Sequence, residues 1–166
     1  MIEAGLLERR KYIFGIPYLY TVSHKGRNLL GVNKRADTIR LDRITHDIYV
    51  LDTVIYYMMK YNVSLCDIES EKELHIKDGF GMRKHCPDFV AVIEGRKYAV
   101  EIELNPKAKN RIEKNIRDNY LNYDNQIWFT NDNRVFSLIQ GFQDEYSNIE
   151  IIRLEKVSEY VGNRYK

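Results

Sequence analysis

The stretch of residues 89–104 constrains the fold of this chain more than any other. Residues 89–93 are continuously apolar and rich in β-branched side chains, which is typical of a strand buried on both faces. Glu94-Gly95-Arg96 then supplies a turn in which Gly95 can adopt a positive φ. Apolar and polar side chains alternate in residues 98–104. We therefore predict an antiparallel hairpin in which the second strand directs Tyr98, Val100, Ile102 and Leu104 to one face and Ala99, Glu101 and Glu103 to the other.

Three carboxylates of this hairpin form a candidate metal site. Asp88 opens the first strand, and the hairpin brings it near Glu101 and Glu103 at the far end of the second strand. Carboxylates held close together repel one another unless a cation neutralises them, and hard oxygen ligands suit Mg²⁺ or Mn²⁺. Such an ion can polarise a phosphodiester and activate a water. The same alternation is also typical of the solvated face of an edge strand.

The spacing of Pro87-Asp88, the hairpin and Glu101-Ile102-Glu103 resembles the core of the PD-(D/E)XK nuclease superfamily. In that superfamily an Asp opens one strand and a (D/E)-x-K triplet lies on the next. Here Glu103 stands where the superfamily has Lys. Some restriction enzymes of the superfamily are active with Glu at this place, whereas many relatives without the Lys are inactive. The resemblance implies a restriction-endonuclease-like fold and leaves cleavage open, with Lys107 or Lys109 as a cation that has moved downstream.

The resemblance also implies a further Glu on the helix that precedes the first core strand. Glu71 is our first choice for this role and Glu73 the second. Taken one at a time, these side chains are equally typical of a charged helical turn in solvent. In the enzymatic interpretation, Asp88 and Glu101 bind the metal, Glu103 is a third ligand or orients the water, Glu71 assists, and Lys107 offsets the charge that develops on phosphate.

Charge is distributed unevenly along the chain. Residues 1–43 contain nine Lys and Arg and four Asp and Glu, a net charge of +5. The whole chain carries +2, so the remaining residues carry −3. A basic amino-terminal segment favours contact with phosphates, although an unevenly charged solvated surface explains it as well. The candidate DNA-binding residues are Arg9, Arg10, Lys11, Lys25, Arg27, Arg83, Lys84 and Lys109.

Residues 1–34 resemble the carboxyl half of a winged helix–turn–helix. We predict the end of a helix at Gly5, strands at 6–13 and 18–22, and a helix at 24–30 that Ser23 caps. The resemblance implies that the hairpin is the wing. A small hairpin subdomain without DNA contact is the alternative.

Residues 35–62 are predicted to form a linker and a long helix with an apolar stripe at Ile44, Ile48, Leu51, Ile55 and Met58, which Val54 and Tyr57 broaden. This helix is either scaffold or a homodimer contact through residues 42–61. His46 lies off the stripe, and we interpret it as a polar surface residue.

Residues 63–166 are predicted to form the nuclease-like domain. After the hairpin we predict a helix at 107–121 with Asn105 as its cap, a strand at 126–130, a helix at 134–145, a strand at 149–154 and a polar tail. The alternation of strands and helices predicts an α/β (α+β) fold, in which helices flank a mixed central sheet.

The combined pattern resembles the replication-relaxation family of proteins from plasmids and other mobile elements. The segments that carry this resemblance are "THDIYVLD", "SEKEL", "PDFVAVIEGRKYAVEIEL" and "QIWFT". The resemblance implies a winged helix fused to a nuclease-like domain, with DNA and replication or relaxase proteins as partners. The function is then that of a Mg²⁺-dependent endodeoxyribonuclease or of an inactive DNA-binding or docking module in replication, conjugation or regulation. A purely structural dimer is a third class.

Cysteine content and hydropathy bear on the compartment. Cys66 and Cys86 are far apart without a CxxC pattern, and we find no signal peptide or apolar run of membrane-spanning length. The sequence therefore predicts a cytoplasmic protein without a membrane segment.

Overall fold

The structure is a computed structural model of the 166-residue chain and describes residues 1–12, 18–32, 39–79 and 85–164. It comprises two compact units, Met1–Ile44 and Thr45–Lys166. Arg83 and Lys84, two of the candidate DNA-binding residues, lie outside the described residues.

The smaller unit is a hairpin followed by a short helix. Strands β1 (Leu7–Arg10) and β2 (Leu19–Val22) pair antiparallel, and helix α1 spans His24–Leu29. The predicted cap of α1 is confirmed, because Ser23 Oγ accepts a hydrogen bond from Gly26 N at 3.0 Å. A Cβ at Gly26 would lie 2.4 Å from the carbonyl oxygen of Leu6, so this close approach requires glycine.

The turn before β1 has the hydrogen bonds of a helix C-terminus. Gly5 N donates to the carbonyl of Ile2, Leu6 N donates to that of Met1, and Gly5 has a φ of 70°. This pairing, with a glycine in the left-handed region, is that of a Schellman cap. The predicted capping role of Gly5 is therefore confirmed.

The larger unit contains five strands and five α-helices in the described residues. In chain order they are α2 (Ile44–Tyr61), β3 (Ile68–Ser70), α3 (Glu71–Asp78), β4 (Phe89–Ile93), β5 (Arg96–Ile102), α4 (Lys109–Asn122), β6 (Asn125–Phe129), α5 (Asn133–Gln140), β7 (Ile149–Ile152) and α6 (Leu154–Arg164).

The five strands form one mixed sheet in the order β3-β4-β5-β6-β7. The β3–β4 and β4–β5 pairs are antiparallel, whereas β5–β6 and β6–β7 are parallel and are joined through α4 and α5. The prediction of a mixed central sheet flanked by helices is thus confirmed. Edge strand β3 was not predicted, because three residues carry no readable alternation.

The predicted β4–β5 hairpin is also confirmed. Ile93 pairs with Arg96, and the two residues between them, Glu94 and Gly95, have φ values of 51° and 79°. Two consecutive positive φ angles define the turn that matches the twist of a two-residue hairpin.

Each face of the sheet packs against its own pair of helices. On one face, Tyr56 and Tyr57 of α2 and Leu154 and Val157 of α6 pack against strand residues such as Phe129. On the other face, α4 and α5 contribute Ile112, Ile116, Val135 and Ile139, which pack around Trp128. In the parallel β5–β6 register, Trp128 pairs with Glu101. Its indole Nε1 donates to Gln126 Oε1 at 3.0 Å.

Three sequence-based predictions of helices are wrong, wholly or in part. Residues 154–164 form helix α6 rather than a polar tail, because Leu154 and Val157 enter the core. Helix α4 begins at Lys109 rather than 107, since Ala108 provides the first helical carbonyl and no side chain caps the helix. The predicted stripe of α2 is right at Ile44 and Tyr57, which are buried, and wrong at Leu51, which is 58% exposed; Thr53 and Tyr56, which lie outside the stripe, are buried.

In the described ranges, no helix combines the length and the apolar character that crossing a membrane requires.

Candidate active site

The two faces of β5 have the alternation that the sequence predicts. Val100 and Ile102 pack in the core beneath α2, and Glu101 and Glu103 alternate with them along the strand. Glu101 is only 7% exposed and Glu103 only 5% exposed. Because β5 lies between β4 and β6, these carboxylates are not on the solvated face of an edge strand. Buried carboxylates at such positions need specific partners.

Glu101 has two hydrogen-bond partners, one that precedes it in the sequence and one that follows it. Its Oε1 lies 2.5 Å from His85 Nε2, and it accepts a hydrogen bond from Asn119 Nδ2 at 2.9 Å. Burial raises the pKa of Glu101, and so does the negative charge of Asp88, whereas the contacts with His85 and Asn119 lower it. Because the net pKa is raised, a cation at this position would stabilise the ionised form.

Asp88 lies at the start of β4 and is held by the neighbouring strand. Its Oδ2 accepts a hydrogen bond from the main-chain N of Ile102 at 2.8 Å. Its Oδ1 lies 3.3 Å from His46 Nε2, and the same nitrogen is 3.2 Å from the carbonyl oxygen of Ile102. His46, interpreted from sequence as a polar surface residue, is therefore part of this site. Nothing local in the sequence signals this contact, because α2 brings the imidazole in from a distant part of the chain.

Glu103 forms an ion pair with Lys107, between Oε2 and Nζ. The main-chain N of Glu103 donates to the carbonyl of Phe129 at 2.9 Å, which fixes the end of β5 against β6. Lys107 precedes α4, so its ammonium returns to the end of the strand that carries the Glu-Ile-Glu triplet. A cation thus lies beside the triplet, although the triplet itself contains no Lys.

Glu71 and Glu73 have different roles in α3. Glu73 belongs to a capping box, in which Ser70 N donates to Glu73 Oε2 at 2.8 Å and Glu73 N donates to Ser70 Oγ at 3.4 Å. Glu71 lies next to Asp88 through the main chain, since Glu71 N donates to the carbonyl of Asp88 at 3.0 Å. Its side chain is 3.8 Å from His75 Nε2.

A cleft of about 500 Å³ is lined by His85, the residue that contacts Glu101. Its other lining residues include Lys77, Asp78, Lys97, Asp118 and Tyr123. Burial raises the pKa of Tyr123 to about 12, and the negative charges of neighbouring acidic groups add to the effect. His85 therefore stands between this cleft and Glu101.

The described basic residues proposed to bind DNA are in varied environments. Arg10 pairs with Glu8 at 2.6 Å, Lys25 Nζ donates to the carbonyl of Ala4, and Arg27 donates to that of Val22. The Lys109 ammonium lies 6.0 Å from the ring centre of Phe142. Arg9 and Lys11 lie over the ring of Tyr18, at 4.6 and 5.9 Å from its centre.

The chemistry of Asp88 and Glu101 fits a hard divalent cation. Among the described residues, no group of three or more His, Cys, Asp and Glu side chains is arranged to hold a metal ion. Mg²⁺, however, is commonly held by one or two carboxylates, with water and phosphate oxygens as its other ligands. A further oxygen is at hand, because the buried Oδ1 of Asn119 accepts no hydrogen bond in the described part of the structure.

No protein-family model, no curated protein and no solved structure matches the chain. We therefore infer its function from the contacts of the site.

Proposed function

We propose that this protein is a metal-dependent nuclease with a restriction-endonuclease-like core, and that Asp88 and Glu101 hold the metal. One observation carries the proposal: a buried carboxylate with a raised pKa, Glu101, lies beside Asp88 on a central strand. Perturbed carboxylates next to a cleft are candidates for chemistry, because folding has forced charged groups into a place that disfavours them. The ion pair of Glu103 and Lys107 supports the proposal further.

The residues around the carboxylates have distinct tasks in this proposal. A Mg²⁺ or Mn²⁺ ion held by Asp88 and Glu101 would polarise the phosphodiester and lower the pKa of a bound water. His46 and the main-chain N of Ile102 orient Asp88, while Asn119 orients Glu101. The Lys107 ammonium offsets charge that develops on the phosphate, and Glu103 orients either Lys107 or the water.

The finer fold assignment belongs to the same proposal. A central antiparallel hairpin that continues into two parallel crossovers supports a restriction-endonuclease-like core, and the basic hairpin with α1 supports a winged-helix wing. DNA is the proposed partner, in keeping with the charge of +5 on residues 1–43. The proposed role in replication or conjugation of a mobile element, with relaxase-type partners, depends on the family resemblance.

The test is a cleavage assay with matched variants. Supercoiled plasmid and single-stranded DNA are incubated with the protein in Mg²⁺, Mn²⁺ or EDTA. We expect metal-dependent cleavage that falls roughly 100-fold or more in Asp88→Asn and in Glu101→Gln, because each removes one charge from the metal site. Glu113→Gln, an exposed carboxylate on α4, is the control and should cleave like the wild type. Equal cleavage by all four proteins would rule out the assigned site.

A second function, DNA binding without cleavage, is favoured by the pairing of the same carboxylates. His85 Nε2 lies 2.5 Å from Glu101 Oε1 and Lys107 pairs with Glu103, so both glutamates have protein partners without a metal. A protein that retards DNA on a gel but leaves it intact in every metal would support this function. Glu103→Lys, which restores the superfamily triplet, would then show whether the missing Lys alone prevents cleavage.

A further inference from the structure

One face of the β1–β2 hairpin combines exposed aromatic rings with cations. The register pairs Leu7 with Val22 and Arg9 with Tyr20, so these side chains share one face of the ribbon. Tyr18 lies two residues before Tyr20 and extends the same face, with Arg9 over its ring at 4.6 Å. Tyr18 is 47% exposed and Tyr20 is 55% exposed. We call Arg9, Lys11, Tyr18 and Tyr20 the aromatic–basic face.

The opposite face of the ribbon has a different character. There Glu8 and Arg10 form an ion pair at 2.6 Å, and Leu19 is only partly exposed. Alternation along the strands has thus separated a charge-balanced face from one that carries two tyrosines and two cations. The aromatic–basic face is the one suited to a negatively charged ligand with flat groups.

We propose that the aromatic–basic face binds single-stranded DNA, with bases stacked on Tyr18 and Tyr20 and phosphates held by Arg9 and Lys11. Aromatic side chains beside cations are the usual platform for single strands, because every base offers a π-face and every linkage a charge. In a duplex the faces of the bases are covered by their neighbours, so exposed tyrosine rings would gain little from it. The proposal rests on the proposed function in taking DNA as the ligand.

The charge of the segment opposes direct contact between the aromatic–basic faces of two copies of the chain and favours a polyanion as the occupant. Residues 1–43 carry a net charge of +5, so two such surfaces repel each other, whereas a polyanion is attracted. The neighbouring cations serve the same ligand, since Arg9 and Lys11 both lie within 6 Å of the ring centre of Tyr18.

The experiment measures binding of fluorescein-labelled oligothymidylate, and of a duplex of the same length, by anisotropy in EDTA. We expect the wild type to prefer the single strand, and Tyr18→Leu and Tyr20→Leu each to weaken single-strand binding roughly 5- to 100-fold through loss of one stacked base. Tyr20→Phe keeps the ring and should bind within about 2-fold of the wild type. Arg9→Gln should make the slope of log K against log salt less steep, by the amount expected for the loss of about one phosphate contact.

The control is Tyr120→Leu, an exposed tyrosine on α4 in the larger unit, which should leave single-strand binding unchanged. The proposal is overturned if the duplex binds as tightly as the single strand, or if the two leucine variants of the hairpin bind like the wild type. EDTA removes any metal, so the binding assay does not depend on the metal site. If the protein never cleaves DNA but the tyrosine variants lose single-strand binding, this proposal stands and the nuclease proposal fails. If the protein cleaves DNA and the tyrosine variants bind the single strand like the wild type, the nuclease proposal stands and this one fails.

Discussion

The two faces of β5 are buried to a similar extent, but they are stabilised by different interactions. On the α2 face, Val100 and Ile102 pack in a cluster of apolar side chains and aromatic rings. On the other face, Glu101 is hydrogen-bonded to His85 and Asn119, and Glu103 is paired with Lys107. Apolar burial is non-directional and tolerates many partners, whereas each buried carboxylate depends on particular atoms at particular distances.

The burial of the two faces has different consequences for stability. Burial of Val100 and Phe129 stabilises the fold whatever the pH or the ligand. Burial of Glu101 opposes ionisation and therefore leaves an interaction that a cation could satisfy. Substitutions on the two faces should thus differ in the size of their effect and in how the effect depends on conditions.

The largest effect is expected on the apolar face. Phe129→Ala should lower the free energy of unfolding by about 3–5 kcal/mol, because it leaves a cavity among the rings of Tyr56 and Tyr57. Urea denaturation measures the change, and it should be independent of pH. Leu65→Ala, at an exposed position, is the control and should change stability by less than about 0.5 kcal/mol. Similar losses in both variants would contradict the assignment of Phe129 to the core.

An intermediate effect on the free energy of unfolding is expected on the polar face, at the residue that is hydrogen-bonded to Glu101. Asn119→Ala removes the hydrogen bond that the buried carboxyl group of Glu101 accepts from Asn119 Nδ2, and should cost about 1–3 kcal/mol. Asn110→Ala, on the exposed side of the same helix, should be neutral or slightly stabilising, because Ala is the better helix former. If Asn119→Ala were as stable as Asn110→Ala, Glu101 would not need this partner.

The smallest effect is a pH dependence that only the polar face should produce. Burial raises the pKa of Glu101 above its ordinary value of 4.5, so above that pH the folded protein holds a proton that the unfolded chain has lost. The free energy of unfolding of the wild type should therefore fall, relative to Glu101→Gln, as pH rises above 4.5, until it passes the raised pKa of the folded protein. The difference is limited, because the contacts with His85 and Asn119 offset part of the cost of burial.

Urea titrations of both proteins across this range measure that pH dependence. Glu113→Gln, which removes an exposed carboxylate from α4, should follow the wild type. Parallel curves for wild type and Glu101→Gln would show that Glu101 titrates as it does in the unfolded chain, and the raised pKa would be refuted.

The parts of the fold that local sequence determines could be predicted. The β4–β5 hairpin follows from an apolar run, a turn with Gly95 and a strict alternation, all within sixteen residues. The partners of the carboxylates could not be predicted in this way. His46, His85 and Asn119 come from α2, from the segment before β4 and from α4, and only the packed sheet brings them together.

The buried face of α2 was not predictable from periodicity, for a different reason. The helix has apolar residues on most of its circumference, so the predicted stripe includes the buried Ile44 and Tyr57 but also the exposed Leu51, and it leaves out the buried Tyr56. The large aromatic rings enter the core and interlock with Phe89 and Phe129. Helix α6 has four apolar residues at helical spacing, Leu154, Val157, Tyr160 and Val161, and all four pack in the core or against it. The periodicity of this segment therefore indicates the helix, and the polar residues between them obscured it.

Trp128 gives this sheet a built-in optical reporter. It is the only tryptophan in the chain, it is 1% exposed, and it pairs in register with Glu101 on the adjacent strand. Indole emission responds to water and to nearby charge, so unfolding should shift it to the red, and a proton or cation that reaches Glu101 should alter its intensity. The occupancy of the carboxylate can thus be followed by intrinsic fluorescence, without a label and before any reaction is assayed.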